Sequence, residues 1–569
     1  MEQGFYKNRM RSIAALFVFV SVVFGIKLFW LQVVNGHFYE READRQYITP
    51  KSQIFDRGTI YFTKKSGEHV SAATLKSGFK IAVNPKTVSN PELIYQKISP
   101  IIGITYDEFM THARKQNDTY EEIADGLSEL QAKQLSDLKI KDLQIYRQAI
   151  RMYPAESLAA HVVGFVGYKG DDFTGQYGLE RFYNKTLSRT QAGLYVNFFA
   201  EVFSKIRSTV SDVPNTDGDI VTTIEPSVQK TLESEIESIQ TTWGSDRVGA
   251  IIMDSQTGAI YALGVTPAYN PNNYQDVSNI AVFKNTLIEN VMEVGSIMKP
   301  IVIASALESG VITPETTYYD YGSVQVKNRT IKNFDGRGRG KVTMQTVLDQ
   351  SLNTGMVFAM QRMKKSEFRE FFKSFGLGSK TGIDLPGEVN GLTSNIETNG
   401  DVEFANIAFG QGVAISPISM MRALNTLGNG GVLVQPHIVT DIEYSDGQLE
   451  KKQYKSIEGV ISPETSDTIS KMLVHVFDSY GDGKYKFDRY TIAGKTGTAQ
   501  IANPTGGYYK DRNLHSFFGY FPAYNPRFIV YLYNEYPKNG AKYASQTLIE
   551  PFTHIAKFLI NYYNIPPDR

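Results

Sequence analysis

The sequence predicts an α+β fold: a five-stranded antiparallel sheet flanked by helices, an N-terminal domain before it, and one transmembrane helix. Three observations predict it. Residues 248–265, VGAIIMDSQTGAIYALGV, read as two strands joined by a turn at Gly258, a hairpin. Further on, the strand-like runs 490–500, 514–522 and 527–536 are separated by the turn-rich segments NPTGGYYKDRN and AYNP, and an apolar helix over about 545–563 closes the chain. Two strands, a block of helices, three antiparallel strands and a last helix make one domain, with the first hairpin beside the final meander. At the other end, residues 12–34 form an apolar run long enough to cross a bilayer as a helix.

Each part of the chain supports this division. Its 569 residues exceed one ordinary core. Lys7, Arg9 and Arg11 precede the apolar run and favour a cytoplasmic N-terminus. Lys27, the one charge within the run, is placed to snorkel towards the outer interface, the alternative being contact with a polar group on a partner membrane helix. No small-x-small cleavage site follows, so the run reads as an uncleaved signal anchor. The expected organisation is a tail over 1–11, an anchor over 12–34, an N-terminal domain over 35–220 and the α+β domain over 221–569. Residues 120–138 are charged with a helical pattern and read as a solvated face.

Composition narrows the function. Lys+Arg and Asp+Glu are both 59, so no basic field offers itself to nucleic acid. The absence of cysteine excludes disulfides, thiolate metal sites and cysteine nucleophiles. The eight histidines show no metal-ligand spacing, and no metal is predicted. His515 reads as a sheet-face residue, and GRGRGK at 336–341 as a flexible loop near the cleft.

Three motifs carry chemistry: Ser296-Ile297-Met298-Lys299, Ser351-Leu352-Asn353 and Lys495-Thr496-Gly497-Thr498. Alone each is weak. The first pattern recurs at Ser77–Lys80, Ser136–Lys139 and Ser227–Lys230, and Lys-Thr-Gly recurs at Lys380-Thr381-Gly382. Context selects among them. VGSIMKPIVIASALESG reads as a helix apolar on nearly every side, hence buried, with Ser296 at its positive end. Lys299, three residues on, returns to the same face. A lysine held away from water has a lowered pKa and can take a serine proton. Ser351 and Asn353 lie in a link between two helical runs; in an extended link, residues two apart face one cleft. Lys495–Thr498 lies in the strand candidate YTIAGKTGTAQ, where Gly497 lets a ligand lie against the edge. The Lys380 match precedes GIDLPGE, a loop without a strand partner, and a phosphate-loop reading of Lys495-Thr496 lacks its earlier glycine, since Arg489 stands there.

With these residues in view, the chain resembles the class B penicillin-binding proteins along most of its length. Further family-like stretches are Asp56-Arg57-Gly58-Thr59-Ile60, Tyr153-Pro154 with Ala160-His161-Val162-Val163-Gly164, and Tyr177-Gly178-Leu179-Glu180-Arg181. FGLGSKTGIDLPGEVNG, FGQGVAISPISMMRA and LHSFFGYFPA belong with them. Val294 stands where the family often has proline, and Leu352 where it often has a small residue. The resemblance implies a penicillin-binding/β-lactamase-like transpeptidase domain over 221–569 and a non-catalytic pedestal of dimerisation type over 35–220. No glycosyltransferase domain fits within 36–220, which selects class B over class A.

The activity implied is cross-linking of peptidoglycan stem peptides ending in D-Ala-D-Ala. Ser296 is expected to attack the penultimate carbonyl, Lys299 to act as general base and Ser351 to pass a proton to the leaving amine. Asn353 is expected to hold the substrate amide. Lys495, Thr496 and Thr498, with Gly497 between them, would bind the terminal carboxylate. The backbone N–H groups of Ser296 and Thr498 would form the oxyanion hole. β-Lactams would acylate Ser296 as substrate mimics. No cofactor is implied. A SEDS-family membrane glycosyltransferase is the implied partner, and the lean is to the division-type branch. The implied location is the bacterial cell membrane, single-pass, with the catalytic domain outside. The rivals are a D,D-carboxypeptidase or β-lactamase-type hydrolase, with water as acceptor, and a non-enzymatic β-lactam sensor or scaffold.

Overall fold

Glu180 organises the N-terminal part of the fold. It is fully buried, and its carboxylate accepts from Arg57 Nε and from Arg151 Nε, the latter at 2.7 Å, with the Tyr153 hydroxyl at 3.3 Å. Burial alone would raise its pKa, but the two guanidinium groups outweigh that and hold it below the ordinary carboxylate value. The family-like stretches around residues 57, 153 and 180, far apart in sequence, thus meet at one charge cluster. These features belong to a computed structural model that describes residue 27 and residues 56–115, 118–170, 172–189, 216–503 and 505–569.

Around this cluster runs a seven-stranded sheet. Its order is Leu449–Lys451, Val439–Tyr444, Gly218–Thr222, Ile60–Thr63, His69–Val83 and Glu121–Leu127, with Leu143–Met152 also paired to His69–Val83. The ladder between Ile60–Thr63 and Gly218–Thr222 is parallel and the others are antiparallel, so this sheet is mixed. The sequence reading, which gave the fold a single antiparallel sheet, did not contain it. Gly218–Thr222, at the expected domain break, pairs with the N-terminal strand Ile60–Thr63 on one side and with Val439–Tyr444 on the other. The stretch 120–138, expected to be helical, is the strand Glu121–Leu127 followed by the helix Glu129–Asp137. Its first charge is not solvated: Glu121 is buried between His112 and Lys115.

The second sheet has the order Ala493–Ala502, Tyr508–Phe521, Phe528–Glu535, Arg247–Asp254, Ile260–Thr266, and all its ladders are antiparallel. The hairpin does lie beside the final meander. Both faces are covered. Phe517 and Phe521 pack with the helices Pro226–Trp243 and Ala544–Tyr563, whereas Phe518 and Tyr520 join the core that contains the helix Lys299–Glu308. Alternate side chains of one strand therefore enter two cores. The middle strand starts at Tyr508 rather than near 514, because part of the turn-rich segment continues the ladder.

Along the chain between the first hairpin and the final meander come several helices and two short strand pairs that the sequence reading passed over, Thr317–Asp320 with Gly340–Thr343 and, between them, the hairpin Ser323–Val326 with Arg329–Lys332. The segment 336–341 is accordingly held: Gly340 pairs with Asp320, and Arg339 binds Asp335 and Gln350. Among the described residues no helix is long and apolar enough to cross a membrane. The predicted anchor over 12–34 lies outside them, Lys27 apart.

Candidate active site

The nucleophile candidate sits on a turn fixed by backbone contacts. Gly295–Met298 is a 3₁₀ turn leading directly into the helix Lys299–Glu308, with Pro300 in the first turn where no N–H is needed. Gly295 has φ +61°, and its N–H donates to Gly410 O at 3.1 Å. Glu293 ties the same turn to two neighbours: it accepts Gly412 N–H at 2.9 Å and the Tyr508 hydroxyl at 2.9 Å. Ser296 is half-buried at the rim, while Lys299 to Ala306 are buried.

Lys299 is fully buried, and its ammonium points at the second motif. It donates to Ser351 O at 2.6 Å, Asn353 Oδ1 at 2.8 Å and Ser351 Oγ at 3.0 Å. Burial, reinforced by the charge of Lys495, pulls its pKa well below the ordinary lysine value. A neutral amine has two N–H groups and one lone pair. The two N–H groups match the acceptor-only oxygens, Ser351 O and Asn353 Oδ1, which leaves the lone pair for a hydroxyl proton. The hydrogen bonds of Lys299 run to Ser351 and Asn353, not to Ser296.

The second motif is not the extended link expected. Ser351 has φ +55°, Leu352 is extended and buried, and Asn353 begins the helix Asn353–Arg362. The left-handed residue turns both the carbonyl and the hydroxyl of Ser351 onto Lys299, a conformation that persists only where its surroundings hold it. Asn353 Nδ2 donates to Lys332 O at 2.9 Å, which fixes the side chain's orientation. Behind it lies a buried polar knot. Asp320 accepts from Thr354 Oγ1 at 2.8 Å, from Asn333 Nδ2 and from the N–H groups of Gly322 and Arg339.

The third motif lies on an edge strand. Lys495 is 2% exposed, and burial lowers its pKa to about 8 against the opposing pull of Asp349. Gly497 faces the nucleophile turn: a Cβ there would lie 2.8 Å from Val294 O and 2.4 Å from Ser516 Oγ. Close packing against that turn, rather than clearance for a ligand, demands glycine here. The Thr496 N–H leaves the sheet towards Tyr480, so the Thr498 N–H, two residues on, points to the same open edge. Thr498 O lies 2.9 Å from where a Gly295 Cβ would be, which places that edge beside the Ser296 turn. Thr498 Oγ1 accepts from Ala544 N at 3.2 Å.

The three motifs, 55 and 142 residues apart in sequence (351 − 296 and 495 − 353), thus meet: Lys299 binds Ser351 and Asn353, and Gly497 and Thr498 pack against the 294–295 turn. Sequence reasoning missed Glu293, Asp320, Asn333, Thr354 and Tyr480, which hold the motifs in place. None belongs to a recurrent pattern, and only Glu293, three residues before Ser296, and Thr354, next to Asn353, stood near enough to draw notice. His515 is a buried sheet residue bonded to Thr547, with its pKa lowered to about 4 by burial.

Comparison with known proteins gives the same picture. Residues 248–554 match the penicillin binding protein transpeptidase domain, and residues 56–223 the penicillin-binding protein dimerisation domain. The chain is 30% identical to stage V sporulation protein D of Bacillus subtilis over 546 residues, covering 94% of this chain and 83% of that protein. It is 25% identical to the peptidoglycan D,D-transpeptidase FtsI of Escherichia coli K12 over 552 residues, 95% of this chain and 89% of that one. In fold it is similar to penicillin-binding protein 3 of Mycobacterium tuberculosis, crystallised with aztreonam, at a TM-score of 0.69 and 23% identity, covering 91% of this chain and 98% of that one. The chain belongs to the class B penicillin-binding proteins, a transpeptidase domain preceded by a penicillin-binding-protein dimerisation domain.

Proposed function

We propose that this protein is a peptidoglycan D,D-transpeptidase working through a serine acyl-enzyme at Ser296. The observation that carries the reading is the fully buried Lys299 bound to Ser351 and Asn353, in a groove closed on its other side by Lys495–Thr498. Ser296 Oγ attacks the carbonyl of the penultimate D-alanine, and its proton passes to Lys299. The C–N bond to the terminal D-alanine breaks, Ser351 gives its proton to the leaving amine and takes the one held by Lys299, and an ester to Ser296 remains. The amine of an acceptor stem then attacks that ester, forming the cross-link and freeing Ser296. Asn353 holds the donor amide. Lys495, Thr496 and Thr498 receive the terminal carboxylate beside Gly497. The N–H groups of Ser296 and Thr498 stabilise the oxyanion.

The reading extends to its setting. Residues 12–34 anchor the protein in the bacterial cell membrane as a single span with the N-terminus cytoplasmic. Residues 35–220 serve as pedestal, and residues 221–569 act outside the cell. A SEDS-family glycosyltransferase supplies the strands to be cross-linked, in a division-type role. The test is intact-mass measurement of the full chain with a penicillin, beside Ser296→Ala. One stable adduct on the parent, mapped to the Ser296 peptide and absent from the mutant, is expected. Penicillin consumed without a lasting adduct would overturn the transpeptidase in favour of a hydrolase. Intact penicillin and an unlabelled, folded protein would overturn an autonomously competent site.

A further inference from the structure

The open edge of the Ala493–Ala502 strand carries the N–H groups that a bound peptide would meet, and one of them is already taken. Thr496 N–H donates to the Tyr480 hydroxyl at 3.0 Å, and the same phenol oxygen lies 3.2 Å from Thr496 Oγ1. A backbone N–H can only donate, so the phenol oxygen is the acceptor in the first contact. Either hydroxyl could donate across the second contact; the phenol has one proton of its own, and among the described residues Thr496 Oγ1 is the one acceptor within reach of it, which sets the direction. Thr496 Oγ1 then accepts from Tyr480 and keeps its own proton free for a third group. Burial pushes the phenol pKa up to about 12, so it remains a donor through the neutral range. A hydroxyl fixed in this sense offers a proton, not a lone pair, and the adjacent Lys495 adds a cation. That pair suits a carboxylate.

The same contact limits how far a ligand can run. A peptide adding to this edge pairs with alternate N–H groups. With Thr496 N–H occupied by Tyr480, pairing stops there, and the ligand meets a charge-binding pair instead of further backbone.

We propose that Tyr480 is a specificity-determining positioning residue: it fixes the Thr496 hydroxyl as a donor to the terminal carboxylate and ends the groove, so that chain ends are selected over internal peptide. The inference rests on the acyl-enzyme reading above. Tyr480 follows the helix Pro463–Asp478, and its ring meets Phe477 edge-on at 6.0 Å; Phe477 in turn packs on Phe517 of the neighbouring strand. Tyr480→Phe therefore keeps the ring packing and removes only the hydroxyl.

The experiment measures acylation rates of the full chain with a penicillin and with its methyl ester, by intact mass. The proteins are the parent, Tyr480→Phe, Thr496→Val and the double variant, each checked for a parent-like melting temperature. The penicillin rate is expected to fall about tenfold in Tyr480→Phe, the size of one charge-assisted hydrogen bond, while the ester rate holds. Thr496→Val should lose the same preference, and adding Tyr480→Phe to it should lose no more, because one path is removed twice. Acid and ester rates falling together, or neither falling, would overturn the proposal; so would additive losses in the double variant. No Ser296 adduct on the parent with either compound would overturn the acyl-enzyme reading, and this inference with it.

Discussion

Two buried lysines flank the proposed site, and their environments shift them to different degrees. Lys299 is stripped of water and lies near a second cation, so it is driven towards the neutral amine that can take a proton. Lys495 is lowered only to about 8, because Asp349 opposes the cost of burial. Below that pH it is an ammonium able to hold a carboxylate; above it, the charge is lost. Acylation by a penicillin is therefore expected to decline above about pH 8, approaching about tenfold per pH unit. The methyl ester, with no carboxylate to hold, should show no such decline. Stopped-flow or mass-based rates from pH 6 to 10 would check this, and an identical alkaline decline for both compounds would remove Lys495 from carboxylate binding. Reading the sequence found both lysines, since their motifs are local. The groups that set them apart come from elsewhere in the chain: Lys495 acts on Lys299, and Asp349, 495 − 349 = 146 residues away, acts on Lys495.

At the scale of elements, the site depends on how closely the Ser296 turn packs against the Ala493–Ala502 strand. A methyl group at Gly497 would meet Ser516 Oγ at 2.4 Å and Val294 O at 2.8 Å. The hydroxyl can rotate away. The carbonyl is backbone, two residues from Ser296, so the strand or the turn must move. Gly497→Ala is expected to slow acylation about 100-fold, the scale of an ångström-sized misplacement, with the fold retained. Adding Ser516→Ala, which removes the yielding contact but not the rigid one, should not restore the rate; recovery would show that the side chain set the spacing. The sequence reading assigned Gly497 to clearance for a ligand, and the packing against Val294 was not legible there, because strand alternation does not say which face meets a neighbour. The five-strand sheet was legible because its hairpin and meander carry strong β patterns and turn residues. The short hairpins over 317–343 were not. Each strand has four residues with mixed burial, too little for a period to emerge, although they carry Asp320 and Asn333, which brace the second motif.

Across the whole molecule, the short strand Gly218–Thr222 is one link between the two sheets, beside a shared core that holds Ile60 and Phe62 together with Ile251 and Met253. Gly218–Thr222 pairs with Ile60–Thr63 on one edge and Val439–Tyr444 on the other. Just before that second partner, the His437 carbonyl accepts Ile260 N–H at 2.9 Å, the first residue of the catalytic sheet's outer strand. Loss of order near Ile60 would thus remove a neighbour from the strand that leads to the catalytic sheet. Glu180 provides the lesion. Arg57 lies three residues before Ile60, and Glu180→Gln would leave the Arg57 and Arg151 charges buried without their counterion. Breaking a buried ion pair from one side typically costs about 3–5 kcal/mol, a large share of a marginal folding free energy. Glu180→Gln is therefore expected to lower the melting temperature of the whole described fold, although the residue belongs to no catalytic motif. The check is to follow heat absorption and penicillin labelling of Ser296 along one temperature ramp. Labelling should be lost over the same range as the calorimetric transition, shifted down together in the variant. Labelling that outlasted a first, lowered transition would show that the catalytic sheet holds without its neighbour, and that strand Gly218–Thr222 transmits no stability between them.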